Sequence, residues 1–546
     1  MNTEALLSNV PLLVVSVSAV AAGLILLLNR PGLSARRRNV RDLVGVVAAL
    51  GKFALVLTML PPVLAGGVVE SAPLYIAKDI AFYFRVDAFG LLFALLSSSL
   101  WVIVSVYSLG YMRSLRYGHE AGFYAAFALS LSAAAGIAMA GNLLTFFVFF
   151  EILTIATYPL IVHRRNKEAV YGGREYMVYL LIAGQLLLIA VAWTHFLAPG
   201  VGFTPGGFLA ETGASTLALQ VLFVLFILGV GVKAAIIPLH GWLPTAMVAP
   251  TPVSALLHAV AVVKAGAFGV VRVTGFVFGP ELLWALGAGL ILACFAAVTI
   301  IFASLKALSE NHLKRRIAYS TVSQLSYIVL GAALASPAAL VGAMFHIVAH
   351  GYMKITLFMC AGAIYATAHK EYVSQLDGIG RKMPYTMGAF AVAALAITGM
   401  PFFAGFVSKW NLGVGAVEAG LPIFIAVLIG SAVLNVGYFF PVVFQAYFGR
   451  CLEPETHAVA AAAEPAVPAA ATAHHNHPGG HAGQEGHEDQ GEARPLMLYP
   501  LLVTAAAAFL FGVVPNFGMH FLELAEIAAR EVTQGGLWSV GGGVSR

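Results

Sequence analysis

Several charged residues stand inside runs that are otherwise apolar. Glu151 lies in FFVFFEILTIATYPL, Lys233 in LGVGVKAAIIPLH, Lys264 in HAVAVVKAGAFGV, Lys354 in HIVAHGYMKITLF and Lys409 in PFFAGFVSKWNLG. His258, His346 and His350 are embedded nearby. A charge at mid-bilayer costs about 2.5–3.5 kcal/mol on insertion scales, so such residues call for a partner or a function. Amines, a carboxylate and imidazoles share one chemistry, the movement of protons. Burial favours the neutral amine and a nearby carboxylate favours the charged one. Moving a Glu toward or away from a Lys therefore moves a proton on or off it, and a chain of such groups is a proton relay. The competing explanation for a lysine near a helix end is that its stem lies in lipid and its amine reaches the interface. Lys409 is the residue that explanation suits best. The long apolar flanks of Glu151, Lys233 and Lys264 argue against it for those three.

Spacing adds to this. His346, His350 and Lys354 are four apart and share one helix face. A lone membrane histidine is explained by one interhelical hydrogen bond; three polar groups in register imply a hydrated or protein-lined path. His258 and Lys264 are six apart and point to different faces, which suits a lateral route. Prolines mark interruptions. Pro238 follows Lys233, with Pro244, Pro250 and Pro252 soon after, and Gly399-Met400-Pro401 precedes Lys409. Proline frees a carbonyl and kinks a helix. Interrupted helices in corresponding positions of two halves point to the ion site of a transporter. Pro238, Pro252 and Pro401 are the expected breaks.

The elements that must hold these residues follow from composition. The chain has 546 residues, of which 60% are hydrophobic and 10% charged; its mean hydropathy is +0.88. A soluble chain carries about 25% charged residues, so the apolar surface here needs a bilayer. About fourteen segments of spanning length occur, near 5–28, 42–66, 81–109, 120–140, 142–162, 174–198, 216–239, 248–277, 282–305, 316–335, 338–367, 385–410, 421–449 and 496–515. They are too long and continuous for a barrel. The expected class is an all-α integral membrane protein, a single membrane domain with two broken helices, at segments seven and twelve.

Loop charges test the count. Arg30, Arg36, Arg37, Arg38 and Arg41 join segments one and two; Arg113 and Arg116 join three and four; Arg164, Arg165 and Lys167 join five and six. Lys306, Lys314, Arg315 and Arg316 join nine and ten, and Lys370, Arg381 and Lys382 join eleven and twelve, while the alternate loops are nearly free of Lys and Arg. This positive-inside alternation supports an even count with both termini on the non-cytoplasmic side. The first apolar run has no basic leader or cleavage site and reads as a retained helix. Segments seven and twelve are five helices apart, which suggests two five-helix repeats. The organisation is then 1–115 for helices one to three, 116–280 and 281–450 for the repeats, 451–495 for a His-rich cytoplasmic linker, and 496–546 for the last helix and tail. Segment ten has no acid matching Glu151. Cys294, Cys360 and Cys451 are far apart and build no iron–sulfur, zinc or disulfide framework. The linker's His474, His475 and His477 are metal candidates only as a composition; a solvated linker explains them. The net charge of +5 reports loop charges and implies no nucleic acid.

The stretch KAAIIPLHGWLPTAMVAPTPVSALLHAVAVVKAG (233–266), together with FFEILTIATYPL, KRRIAYSTVSQLSYIVLG, FHIVAHGYMKITLFMCAG, LDGIGRKMP and GMPFFAGFVSKW, resembles the signature of the proton-conducting antiporter family. That family is found in Mrp cation/proton antiporters, respiratory complex I and membrane hydrogenases. The resemblance runs from about 80 to 445 and is nearest to the D-type member of Mrp antiporters. It implies fourteen helices with two inverted five-helix repeats and no redox cofactor. It implies roles for Glu151 and Lys233 as a switchable pair, Lys264 and His258 as the centre, His346, His350 and Lys354 as the polar stripe, and Lys409 as the terminal residue. It also implies other membrane subunits as partners, protons as substrate with Na⁺ in an antiporter, and a bacterial inner-membrane location. A redox-driven pump of the NADH:quinone oxidoreductase or hydrogenase type, and a membrane component of inorganic-carbon uptake, stay open as alternatives. A stand-alone transporter of organic solutes fits the Lys and His chain poorly. The 452–494 stretch is longer than the family's usual connection.

Overall fold

A computed structural model describes residues 3–29, 35–449 and 491–534. The candidate metal tract at His474, His475 and His477 lies outside the described residues, as does Cys451. Helices dominate: α1 (Thr3–Leu27), α2 (Ala35–Thr58), α3 (Ala88–Ser114), α4 (Glu120–Ala138), α5 (Leu143–Ile161), α6 (Lys167–Leu197) and α7 (Thr216–Gly231). They continue with α8 (Thr251–Phe278), α9 (Ala288–Ser309), α10 (Leu313–Leu334), α11 (Pro337–Ala368), α12 (Pro384–Thr398), α13 (Ala404–Glu418), α14 (Ile423–Phe448), α15 (Pro495–Val513) and α16 (Phe521–Gln534). Among the described residues, 12 helices are long and apolar enough to cross a membrane. The exceptions are α7, α12 and α13, which are shorter, and α16, whose hydrophobic residues line one face only.

Polar residues set the starts. Asp87, Asn142 and Asn166 accept hydrogen bonds from the backbone N–H of Gly90 at 2.7 Å, Thr145 at 2.8 Å and Ala169 at 2.8 Å. Each is a side-chain cap on a donor that the helix leaves unpaired.

Two expectations are corrected. The third segment does not begin at 81. Residues 69–86 form short antiparallel ladders, β1 (Val69–Glu70) with β4 (Arg85–Val86) and β2 (Leu74–Ala77) with β3 (Ile80–Phe82). Asp79 turns the chain at φ 61, aromatic and branched residues favour the pleat, and Asp87 then caps the true start of α3. Pro252 is not a break either. It occupies the first turn of α8, where its missing N–H costs no helical bond and its fixed φ suits a helix start.

The helices divide into an inner and an outer layer. The apolar windows of α8 and α11 are 100% buried and that of α10 is 94% buried, against 28% for α2 and 39% for α6. α11 is the hub, packed against α3, α8, α10, α12, α13, α15 and α16. Outer faces carry exposed Leu27, Val47, Ile155 and Val178, the surface lipid requires. The inner helices are those that carry Lys264, Lys354, His258, His346 and His350, so these groups sit in protein and not in hydrocarbon.

Candidate functional site

Glu151 projects from α5 toward α6. Its Oε1 is buried and has no hydrogen-bond partner. The room for it is made by Gly184 of α6: a Cβ there would stand 2.6 Å from Oε1 and 2.7 Å from Cδ. Lys233 enters from the irregular stretch that follows α7, fully buried. Its Nζ donates to the Phe150 carbonyl and lies over the Phe150 ring, 3.4 Å from the centroid. The two charges are therefore not in contact here. Lys233 is docked on Phe150, the residue next to Glu151, its amine over the face of the ring.

The break beyond Lys233 is pressed against α8. A methyl at Gly266 would overlap the Lys233 backbone and Ala234, so glycine just past Lys264 lets the two lysine-bearing segments touch. α8 is irregular around this contact. Leu256–Val260 and Val273–Phe278 take a π-helical course, and Ala261 (φ −118, ψ −81) distorts the chain just before Lys264. Such turns are common at functional sites. His258 rides in the first of them, buried beside Phe358 at 4.6 Å between ring centroids, both ring nitrogens unpaired.

Lys264 Nζ reaches across to α11, 2.7 Å from Nδ1 of His350. An ammonium donates there, and a neutral amine accepts from an imidazole N–H, so the proton has a seat on either side. The His350 and His346 rings lie side by side, tilted by 32° with 5.9 Å between centroids. His346 Nδ1 is 2.8 Å from Ser408 Oγ on α13, and its ring is 5.5 Å from that of Tyr327 on α10. The Lys409 amine lies 5.0 Å over the same Tyr327 ring. Lys409 does not reach outward. It turns back across the break and donates to the Ile397 carbonyl at 2.7 Å and the Thr398 carbonyl at 3.2 Å. These are the last carbonyls of α12, unpaired by the helix and at its negative end. Gly399 closes α12 at φ +90 and leaves space for the lysine stem; a Cβ would lie 2.9 Å from Lys409 Cδ. Pro401 lies in the gap between α12 and α13, and Pro238 in the stretch between α7 and α8.

The expected stripe on α11 thus divides. His350 and His346 join the track from Lys264 to Lys409. Lys354 turns to α10, donating to the Ile317 carbonyl at 3.0 Å and lying 5.5 Å from the Phe439 ring. Along this track the His346 and His350 Nε2 atoms and both Gln324 amide atoms are buried without a partner among the described residues. Buried polar atoms of this kind are satisfied by ordered water, and their concentration on facing helices marks a polar seam.

Sequence reasoning missed several of these groups. Tyr327, Ser408 and Gly184 carried no signal of their own, since only the packing shows which face of a helix meets the seam. Lys52 did carry one. It lies in VVAALGKFALVL with apolar flanks as long as those of Lys264. It is fully buried, donating to the Leu131 carbonyl at 2.6 Å and Ser18 Oγ at 3.1 Å, with Trp101 at 5.2 Å.

A multi-pass helical membrane protein with an internal track of amines and imidazoles, and broken helices beside two of its lysines, is the class this fold and site define. The sequence profile of the family described as NADH:quinone oxidoreductase/Mrp antiporter, TM, matches residues 140–435, and the chain belongs to that family. NADH-quinone oxidoreductase subunit N of Desulforudis audaxviator is 37% identical over 369 residues, 65% of this chain and 70% of that protein. One Na(+)/H(+) antiporter subunit of Alkalihalophilus pseudofirmus is 32% identical over 363 residues, 63% of this chain but only 44% of that protein. In fold, the chain matches one from the structure of an Mrp complex from Dietzia sp. DQ12-45-1b with a TM-score of 0.79 and 23% identity, over 97% of this chain and 98% of that one.

Proposed function

We propose that this chain is the proton-translocating subunit of a multi-subunit membrane complex, nearest to the D-type member of an Mrp cation/proton antiporter. The observation that carries the reading is the 2.7 Å contact between Lys264 and His350, continued through His346 and Tyr327 to Lys409. Lys233 moves between the Phe150 shelf and the Glu151 carboxylate. Beside Glu151 it holds its proton most firmly; on the Phe150 shelf, without the carboxylate, burial weakens that hold and the proton can pass toward Lys264. Charge on one site changes the proton affinity of the next, so the sites titrate as a coupled set. The proton passes along the seam to Lys409, which exchanges with the opposite side. His258 and Lys354 flank the track and adjust it electrostatically. In this reading the chain has fourteen helices, counting the broken pair, ten of them in two five-helix repeats over 116–280 and 281–450. It lies in a bacterial inner membrane with both termini outside the cytoplasm, and its partners are further membrane subunits.

One observation favours a second reading, a redox-driven pump: the relative that is 37% identical belongs to an NADH-quinone oxidoreductase. Purification of the tagged chain from its own membranes, with identification of what accompanies it, separates the two. Small hydrophobic subunits, with Na⁺-induced proton flux in vesicles, are expected. Iron–sulfur, flavin or nickel subunits would replace the antiporter by the redox pump.

A further inference from the structure

The geometry points to an anionic phospholipid site on the rim of the bundle where the arginine-rich loops before α4 and α6 meet. A cavity of about 1140 Å³ opens there, lined by Arg38, Arg41, Arg113, Arg116 and Arg165 with Glu120. Part of this charge is met internally. Glu120 takes Arg38 and, at 2.8 Å, Arg41; Asp42 takes Arg41 at 2.6 Å and Arg113 at 2.7 Å. Two carboxylates against five guanidinium groups leave an excess of three positive charges. The side chains of Arg116 and Arg165 are exposed and have no ion-pair or hydrogen-bond partner among the described residues.

A second cavity, of about 810 Å³, opens on the other side of Arg165. Lys167 and Arg174 line it together with Val170, Tyr171, Val178 and Leu181 of α6. Tyr171 is 67% exposed and Val178 52% exposed. Arg165 therefore joins a basic mouth to an apolar wall that runs down a spanning helix. A free phosphate would match the arginines and have no use for the wall, and an acidic peptide would leave it bare. A phospholipid with an anionic headgroup matches both, its phosphate on Arg116 and Arg165 and its acyl chains along α6. Basic pockets between membrane helices on the leaflet rich in anionic lipid bind headgroups in this way. The site is remote in role from the proton track and stands without it.

The test uses the complete detergent-purified complex. It is titrated with dihexanoyl and didecanoyl phosphatidylglycerol, with the matching phosphatidylcholines, and with inorganic phosphate, and read by native mass spectrometry and thermal shift. Phosphatidylglycerol is expected to bind in preference to phosphatidylcholine, and the longer chains more tightly. The R116Q/R165Q variant, which breaks no side-chain ion pair or hydrogen bond among the described residues, is expected to lose about thirtyfold in affinity, at about fivefold per arginine near an anionic lipid. Equal binding of the two headgroups, an unchanged affinity in the variant, or no lipid bound to the complete complex would each overturn the site. Inorganic phosphate competing as well as phosphatidylglycerol would overturn the lipid in favour of a soluble anion.

Discussion

Lys264 and His350 belong to different helices, lie far apart in sequence, and meet at 2.7 Å in the middle of the bundle. Among the described residues neither has a carboxylate partner. A proton shared by an amine and an imidazole passes without separating opposite charges, which suits a group that must give it up again. Replacing His350 with Ala removes the acceptor while leaving α11 helical. Proton flux in vesicles is expected to fall roughly 10²–10⁴-fold, the usual weight of a positioned acid–base group, with the complex assembled. Unchanged flux would remove His350 from the path.

Gly184 and Glu151 form a tighter dependency. Because a Cβ at Gly184 would stand 2.6 Å from Glu151 Oε1, Gly184→Ala must displace the carboxylate. Transport is expected to fall although no charge has changed. Shortening the acid, as Glu151→Asp in the Gly184→Ala background, is expected to recover part of the loss. The two effects then combine non-additively, as residues in contact do. Simple additivity in flux would show that Gly184 acts only on packing.

Lys409 closes the end of α12 through the Ile397 and Thr398 carbonyls. Lys409→Met is expected to abolish flux. It is also expected to destabilise by about 1–3 kcal/mol, the cost of leaving buried acceptors unpaired, visible as a lower thermal midpoint.

Asp87 and Arg272 make a buried ion pair, 2.7 Å between Oδ1 and one guanidinium nitrogen, with Phe276 at 4.4 Å from the guanidinium carbon. Arg272→Met strands the carboxylate that also caps α3 and is expected to cost about 3–5 kcal/mol. Lys52, by contrast, is held by Ser18, the Leu131 carbonyl and Trp101, and by no acid among the described residues. Lys52→Met is expected to leave proton flux unchanged, and a loss of flux measured in the same vesicles would extend the pathway into α1–α4.

The sequence made the membrane class legible because a charge in a long apolar run has few explanations. The same logic singles out Glu151, Lys233, Lys264 and Lys409, and it applies equally to Lys52. What stayed hidden depends on facing. Tyr327 and Ser408 are unremarkable in their own helices and become part of the seam only where α10, α11 and α13 meet. Spacing placed His346, His350 and Lys354 on one face, but a helix that packs against seven others presents that face to several partners, and Lys354 turns to Ile317 instead. Pro252 was misread because proline at a helix start and proline at a break look alike in one dimension. The short ladders at 69–86 are divided in the sequence: 81–86 reads as the start of the third segment, and 69–80 falls between segments, where Glu70, Lys78 and Asp79 interrupt the apolar pattern and strands of two to four residues leave no periodicity.

The most direct test of the internal track is proton flux in proteoliposomes containing the complete complex with Lys264→Met. Lys264 lies two residues before Gly266, which packs on the Lys233 break, and its Nζ meets His350 Nδ1 at 2.7 Å, so it is the amine placed between the break and the His350–His346 pair. Flux at the protein-free background, with every subunit retained, is the expected result. Flux at the wild-type rate would contradict the pathway through the centre of the bundle.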